Sequence, residues 1–480
     1  MKNIIIGAGP AGRLAGLELG RLGEEVILIE KEKLGGTCLN EGCMVVCALT
    51  DIARFLNDAS HYKSLNLMKG DIEFSYEEIV KKIKKTQEII HKIDHAENTS
   101  NNNEIIYGEA KINDNEVKVN GESFNYKNLL IATGANPHTP NIKGVEYSIN
   151  NKDILKLKKV PEKLNIIGGS IIAAEISNIY SSLGSEVNVI ARSEFLKELD
   201  PEIKEYIVKK LLKNVKIHEK TEPLEIQKNK TIVKNKDEKV IEIEGLTFSA
   251  TGRSPNSKIL ENILEPNQFD KKGAIKVNEM MQTNVKNIYA AGDVIGGLNL
   301  TPVARMQGIL AARNMAGYFN KIEYKCIPQS IRLEMDVSFV KNIEHKNSAI
   351  NTKNNTDNID NIDNINYNNT NNINNDKNGI NNSTDNVNIN NSEKLNEVSV
   401  PGSAGPRAFW KVLTNETGMT KASFNSKELL ESITAISPSS VNDIAYLSYL
   451  MRINENIENF DEFIEIHPST DVFFQIMKYM

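Results

Sequence analysis

The sequence predicts an α/β fold with two Rossmann-like, three-layer nucleotide-binding domains followed by a C-terminal α+β domain. Three observations carry this expectation. An apolar run, Asn3 to Ile6, opens directly into the glycine turn Gly7-x-Gly9-x-x-Gly12, and a second apolar run ends at Glu30. The same order returns between Lys163 and Ala191, where LNII leads into a Gly-Gly-Ser turn and VNVIA closes the unit. Near the C-terminus, FWKVLTNETG reads as a β-hairpin turning at Asn415 to Gly418, and amphipathic helices are expected from Lys427 and from Val441.

Each element has a local reason. Continuous apolar runs bounded by turn residues suit parallel strands buried on both faces, and Asn3–Ile6 and Glu25–Glu30 are read as such a pair. Residues 13–22 between them have helical periodicity. Gly7 permits the tight turn, Gly9 lets a pyrophosphate approach the backbone at the helix N-terminus, and Gly12 lets helix and strand pack closely. Glu30 is placed to accept ribose hydroxyls, so this unit is read as a dinucleotide site. Two further apolar strands, NLLIATGANP and GLTFSATGRSPN, each close in an Ala-Thr-Gly turn. Between Asn351 and Asn391 the chain is dominated by Asn with Asp, Ile and Thr. Such a composition buries too little apolar surface to offset its ordering entropy, so it is expected to be a disordered surface insertion.

Composition narrows the function classes. A chain of 480 residues has room for about three domains. Its 57 Lys plus Arg against 63 Asp plus Glu give a net charge of −6, without the basic field that a phosphate backbone requires, so no nucleic acid partner is expected. No run approaches the ~20 apolar residues of a membrane span. The opening MKNIIIGAGPAG enters a strand at once and leaves no room for a leader, so a cytoplasmic location is expected. Of the 4 cysteines, Cys38, Cys43 and Cys47 crowd together, which suits redox or metal chemistry in a reducing compartment better than structural stapling.

The stretch KLGGTCLNEGCMVVCAL is the most specific in the chain. Cys38 and Cys43 bracket four residues. Five helical steps would set them about 140° apart, so a bridge between them needs a distorted helix start, which Gly42 can provide. Zinc is the competing explanation, but no His or Cys pair elsewhere completes a four-ligand set, and no metal is expected. GGTCxNxGC, here Gly35 to Cys43, resembles the signature of the pyridine nucleotide-disulfide oxidoreductases, class I, which include dihydrolipoamide dehydrogenase, glutathione reductase and mercuric reductase. The likeness extends to ATG at Ala132–Gly134, ATGRSPN at Ala250–Asn256, IYAAGDV at Ile288–Val294, LTPVA at Leu300–Ala304 and IHPSTD at Ile466–Asp471.

That resemblance implies a homodimeric FAD enzyme passing electrons between NAD(P)H and a small-molecule or protein disulfide. It assigns residues 1–148 and 276–322 to the FAD domain, 149–275 to the NAD(P) domain, and 323–480 to a dimerisation domain interrupted by the insertion at 346–396. Cys38 would be the interchange thiol, Cys43 the thiol facing the flavin, and His467 the acid and base contributed by the second subunit. Gly7, Gly9, Gly12, Glu30, Lys31, Gly36, Thr37, Thr133, Gly134, Asp293, Thr301 and Arg253 would serve cofactor binding. Gly168, Ser170, Glu175 and Arg192 belong to the second nucleotide site. There, no acid stands at Ala191 or Arg192 to take ribose hydroxyls, while Arg192 and Lys197 can hold a 2′-phosphate, so NADPH is favoured over NADH.

Three positions depart from the family pattern. Cys47 stands where the family has a Lys that pairs with the acid matched here by Glu175, and is read as a small residue filling that space. Ser170 stands where a glycine would admit the pyrophosphate. Val472 replaces the family's Glu beside the histidine, with Glu465 and Asp471 nearby. Two other readings follow: an NAD(P)H oxidase or transhydrogenase that bypasses the disulfide, and a flavoprotein scaffold in which catalysis has decayed.

Overall fold

The computed structural model describes residues 1–101, 103–113, 116–343, 396–401 and 405–456. The expected insertion and the segment holding His467, Glu465, Asp471 and Val472 lie outside the described residues. The chain forms two compact units, one of Met1–Phe195 with Asn214–Tyr324, the other of Leu196–Lys213 with described residues from 325 onward.

The first unit opens as the sequence predicts. Strand β1 (Lys2–Ile6) leads into helix α1 (Pro10–Arg21), and β2 (Val26–Glu30) pairs parallel to β1. Two short-spaced helices follow, α2 (Gly36–Asn40) and α3 (Cys43–Ser64), and then the long α4 (Tyr76–Ser100), whose Ser75 cap accepts the Glu78 amide at 3.2 Å. Strands β3 (Asn103–Tyr107), β4 (Lys111–Asn113), β5 (Glu116–Val119) and β6 (Glu122–Ile131) complete most of a seven-stranded sheet in the order β3-β2-β1-β6-β5-β4. Strand β6 changes partners along its length. Its polar first half pairs antiparallel with β5, and its buried second half, Leu129–Ile131, pairs parallel with β1.

After β7 (Ala135–Pro137), a second Rossmann unit runs through β8 (Lys163–Ile167), α5 (Ile171–Ser182) and β9 (Glu186–Ile190). Helix α6 (Pro201–Tyr206) intervenes before β10 (Val215–His218) joins β9 in parallel. Strands β11 (Glu222–Gln227), β12 (Lys230–Lys234) and β13 (Val240–Glu244) form an antiparallel meander. Strand β14 (Leu246–Ser249) then completes a parallel sheet of order β10-β9-β8-β14. Strand β15 (Arg253–Pro255) pairs with β7, and β16 (Ile288–Ala290) returns to pair with β6 of the first sheet. Helix α7 (Thr301–Met315) closes the unit.

The two glycine turns are built alike. Gly7 has φ +99°, and a Cβ there would sit 2.4 Å from the Ala132 carbonyl oxygen; Gly168 has φ +144°, and its Cβ would sit 2.4 Å from that of Ala250. In each case the Ala-Thr-Gly segment following a parallel strand lies against the turn. Only glycine fits such an approach at positive φ.

The second unit is a five-stranded antiparallel sheet of order β17-β18-β21-β20-β19, covered by α8 (Ser440–Arg452). Its strands are β17 (Gln329–Arg332), β18 (Asp336–Lys341), β19 (Asn396–Pro401), β20 (Met419–Phe424) and β21 (Leu430–Ser437). Two expectations are corrected here. Residues Gly405–Thr414 form 3₁₀ turns instead of the first strand of a hairpin, and the strand begins only at Met419. The helix expected from Lys427 is the central strand β21. The Asn425 side chain accepts the amides of Lys427 and Leu429, at 2.9 and 3.1 Å, closing a turn that delivers the chain into the sheet between β18 and β20. Pairing on both edges overrides the helical pattern.

Helix α6 belongs to this second unit although the sequence surrounds it with the nucleotide-binding segments. Lys421 on β20 pairs with Asp200 at 2.9 Å, the Gly418 amide donates to the Tyr206 hydroxyl oxygen at 2.8 Å, and Lys213 pairs with Glu416 at 2.9 Å.

Within the first unit, α1 and α7 pack at backbone distance. A Cβ on Gly308 would lie 2.1 Å from the Ala11 carbonyl oxygen. At the far end of the same pair, buried Glu18 accepts Arg21 Nε and Nη2, each at 2.8 Å, and Arg313 Nε at 2.7 Å. These bonds, Arg21 first and Arg313 next, hold the Glu18 carboxyl down at about 2 against the opposing effect of burial. A depressed carboxyl stabilises the fold fully above its ordinary range, and that contribution disappears as pH falls from the ordinary value of 4.5 toward 2. Arg21 is exposed and Arg313 partly so, which screens the pairs. Glu18→Gln is expected to cost about 1–2 kcal/mol in denaturant unfolding at pH 7, with the difference from the wild type shrinking at pH 3.

Candidate functional site

The helical-spacing problem posed by Cys38 and Cys43 is solved by breaking the helix. Gly35, at φ +84°, starts α2, which ends at Asn40; Gly42 then resets the backbone and Cys43 is the first residue of α3. The two thiols therefore sit at a helix end and a helix start, and they hydrogen-bond each other. Cys43 Sγ lies 3.6 Å from Thr301 Oγ1 at the start of α7. All four cysteines are free thiols, so Cys38 and Cys43 stand here in the dithiol form.

Helix α4 holds this loop from outside. Gln87 Nε2 donates to the Leu39 and Asn40 carbonyls at 2.9 and 3.1 Å, and His91 Nε2 meets Asn40 Oδ1 at 2.8 Å. Asn40 in turn donates to the carbonyls of Leu34 and Gly36, at 3.0 and 2.9 Å. Gln87 and His91 were not foreseen from sequence. Their spacing of one helical turn places both on one face of α4, but nothing in the chain says that this face meets residues 39 and 40.

The electrostatics of the pair are asymmetric. The hydrogen bond from Cys38, then that of Thr301, pulls the Cys43 thiol down to about 6. Cys38 moves the opposite way, first because it shares its proton with Cys43 and then because of burial; Thr301 and Arg305 oppose the rise. One thiolate thus forms at Cys43 near neutral pH while Cys38 retains its proton.

The first glycine turn fits a dinucleotide. A Cβ at Gly9 would meet no protein atom nearer than Gly36 Cα at 3.8 Å, and one at Gly134 would meet nothing within 4 Å, so both glycines border space that the protein leaves open. Gly12 is different, since its Cβ would sit 1.9 Å from the Gly7 carbonyl oxygen. Glu30 is buried, with its carboxylate accepting the amides of Ala8 at 2.7 Å and Glu32 at 2.8 Å, which fixes it at the turn; Lys31 beside it is exposed. Thr133 and Gly134 are latched to Asn256: Thr133 Oγ1 donates to the Asn256 carbonyl at 2.8 Å, and the Asn256 amide donates to the Gly134 carbonyl at 2.9 Å.

Asp293 follows Gly292, whose amide donates to Gln307 Oε1 at 2.8 Å, so α7 also sets this loop. Burial pushes the Asp293 carboxyl up and the Arg253 guanidinium, 3.3 Å away, opposes it. Arg253 reaches Thr37 Oγ1 at 3.4 Å and the Ala135 carbonyl, yet its Nε is buried without a hydrogen bond. Arg253 Nε is thus ion-paired to Asp293 without an aligned hydrogen bond, which leaves it donor capacity for a bound polar group. Gly9, Gly36, Thr37, Glu30, Asp293 and Arg253 thus suit a flavin dinucleotide.

The second turn keeps Gly168 but carries Ser170 in an extended conformation, exposed and without a side-chain cap bond. Ala173 is fully buried where the first turn has Gly12. Glu175 is half-buried on α5, which packs on the helix of Cys47. Arg192 is exposed after β9, and Ala191, at the acid position, is buried. Glu219 accepts the Phe195 amide at 2.8 Å and so holds the loop that follows β9. Among the described residues no group of three His, Cys, Asp or Glu is placed to hold a metal ion, and no helix is long and apolar enough to cross a membrane.

Two nucleotide-binding turns and a paired thiol loop beneath α7 define a nucleotide-dependent redox protein. The family model described as pyridine nucleotide-disulphide oxidoreductase matches residues 1–308, and the chain belongs to that family. Its members are FAD-dependent flavoproteins that work with a pyridine nucleotide and act on disulfides. A dihydrolipoyl dehydrogenase of Buchnera aphidicola is 35% identical over 70% of this chain and 74% of its own. An uncharacterized protein of Methanocaldococcus jannaschii is 28% identical over 99% of this chain and 97% of its own. The HOCl-induced flavoprotein disulfide reductase RclA from Escherichia coli shares the fold, with a TM-score of 0.77 over 98% of both chains at 21% identity.

Two outcomes follow. In the reduced protein, ultraviolet thiolate absorbance should rise with a midpoint near pH 6, vanish in Cys43→Ser, and move upward in Thr301→Val. Gly9→Ala should leave the stability of the flavin-free protein within about 1 kcal/mol, because nothing in the protein occupies that space, while flavin content after purification falls sharply.

Proposed function

We propose that the protein is an FAD-dependent disulfide reductase that takes electrons from NADPH in preference to NADH and passes them through Cys38 and Cys43. The observation that carries this reading is the adjacent, hydrogen-bonded thiol pair with Cys43 against the N-terminus of α7. FAD, when bound, supplies hydride acceptance from the nicotinamide and two-electron delivery to a disulfide.

The chain's own residues account for the remaining steps. Cys43 is held as the thiolate by Cys38 and Thr301, and Cys38 is the thiol that attacks. Its sulfur bonds to one sulfur of the substrate, the substrate disulfide breaks, and the departing thiolate takes a proton. The Cys43 thiolate then attacks Cys38 Sγ, releasing the second substrate thiol and closing the Cys38–Cys43 disulfide. His467, contributed by the second subunit of a homodimer, is the proposed proton carrier for Cys38 and the leaving thiol. Gly9, Gly36, Thr37, Thr133, Gly134, Glu30, Lys31 and Asp293 are the proposed FAD contacts, with Arg253 bridging Asp293 and Thr37. Gly168, Ser170 and Arg192 are the proposed NADPH contacts; the absence of an acid at Ala191 supports the phosphorylated nucleotide. The substrate is a small-molecule or protein disulfide.

An anaerobic titration with NADPH tests this. Bleaching followed by a long-wavelength thiolate band is the expected result. Bleaching without that band would point to an oxidase or transhydrogenase, and no bleaching to a flavoprotein scaffold. Cys38→Ser is expected to retain FAD and lose disulfide turnover with lipoamide, glutathione disulfide and thioredoxin; persistence of turnover would remove Cys38 from the reaction.

A further inference from the structure

Helix α7 presents a second polar residue to the thiol pair. Arg305 follows Thr301 by four residues, one helical turn, and therefore lies on the same face of α7 as the hydroxyl that touches Cys43. Its side chain is exposed and makes no hydrogen bond or ion pair among the described residues. The other arginines around this site are committed elsewhere: Arg13 to Asp94 and Glu97 at 3.0 and 2.7 Å, and Arg253 to Asp293. Arg305 is thus an uncommitted cation one turn from the thiol contact.

We propose that Arg305 is a positioning residue that stabilises the thiolate of Cys38, preparing this sulfur to attack a disulfide; the proposal rests on the reading of Cys38 and Cys43 as the redox pair. The charge balance around the sulfur shows why a cation is needed there. Cys43 next to it carries the thiolate of the reduced pair, and the Asp293 carboxyl adds negative charge on the Cys43 side. Thr301 on α7 supplies a hydrogen bond without charge, and His91 on α4 is turned to Asn40. Asp94 of α4 is occupied by Arg13. Against these groups Arg305 is the cation whose field favours the charged form of Cys38, and the same field reaches Asp94. The positive end of α7 acts in the same direction.

The test is the pH dependence of Cys38 alkylation by iodoacetamide in the full-length, FAD-loaded, anaerobically reduced protein. The wild type, Arg305→Gln and Arg305→Lys are compared at low and at molar salt, and alkylated peptides are mapped to separate Cys38 from Cys43. Arg305→Gln is expected to slow Cys38 alkylation at pH 7 about threefold to tenfold at low salt and to move its pH profile upward. Arg305→Lys should restore most of the rate, and molar salt should shrink the difference, because the side chain is exposed and its field is screened. Equal profiles for the wild type and Arg305→Gln, with the long-wavelength thiolate band intact in both, would overturn the proposal and leave the redox pair standing. Absence of that band in the wild type would instead overturn the redox-pair reading and this proposal with it.

Discussion

The contact of Gly308 with the Ala11 carbonyl brings α7 against α1 at backbone distance, and much of the site is referred to that contact. Helix α1 carries the first glycine turn at its N-terminus, so its position is set by the parallel strands beneath it. Once α7 is locked to α1, three consequences follow along one helix. Thr301 stands against Cys43, Gln307 takes the Gly292 amide and so fixes the loop of Asp293, and Arg313 closes on Glu18 at the far end. A side chain at position 308 would separate the helices and disturb all three together. A single backbone approach thus couples the thiol pair to the proposed flavin contacts.

How much of this was legible in the sequence depends on the range over which each signal acts. The glycine turns, the apolar strands and the Gly35–Cys43 loop are local, and each was readable because backbone conformation and burial at those positions restrict the residue type. The approach of Ala132 to Gly7, and of Ala250 to Gly168, is long-range, yet the Ala-Thr-Gly endings made it visible as a resemblance. Gln87 and His91 left no trace, since a polar residue facing inward on α4 looks the same as one facing water until its partner is known. Strand β21 was misread as a helix because its interior position between β18 and β20 is a property of the sheet and not of residues 427–437. The ties of helix α6 to β20 were not legible for a related reason: they are ion pairs and a tyrosine hydroxyl, and these have no periodicity.

The two nucleotide units share a turn geometry but differ in how tightly each is drawn. In the first, Gly12 allows α1 to sit almost on the Gly7 carbonyl, and Gly9 leaves the approach open. In the second, buried Ala173 and exposed Ser170 occupy the corresponding places. A tightly drawn site suits a ligand that stays, and a looser one suits a ligand that must arrive and leave at every cycle. The difference in side chains matches the division of labour proposed for the two nucleotides.

The placement of α6 bears on how the polypeptide is made. Asp200, Tyr206 and Lys213 emerge from the ribosome more than 200 residues before their partners at 416–421, because the Rossmann meander, the return to the first sheet and α7 all come between them. Domains usually fold as units in the order of their synthesis. Here the second unit must wait for its last strands before it can claim a helix made long before, while the first unit folds around the gap left between Phe195 and Asn214. During that interval the segment from Asp200 to Lys213 lacks the partners at Glu416, Gly418 and Lys421 that hold it in the finished protein.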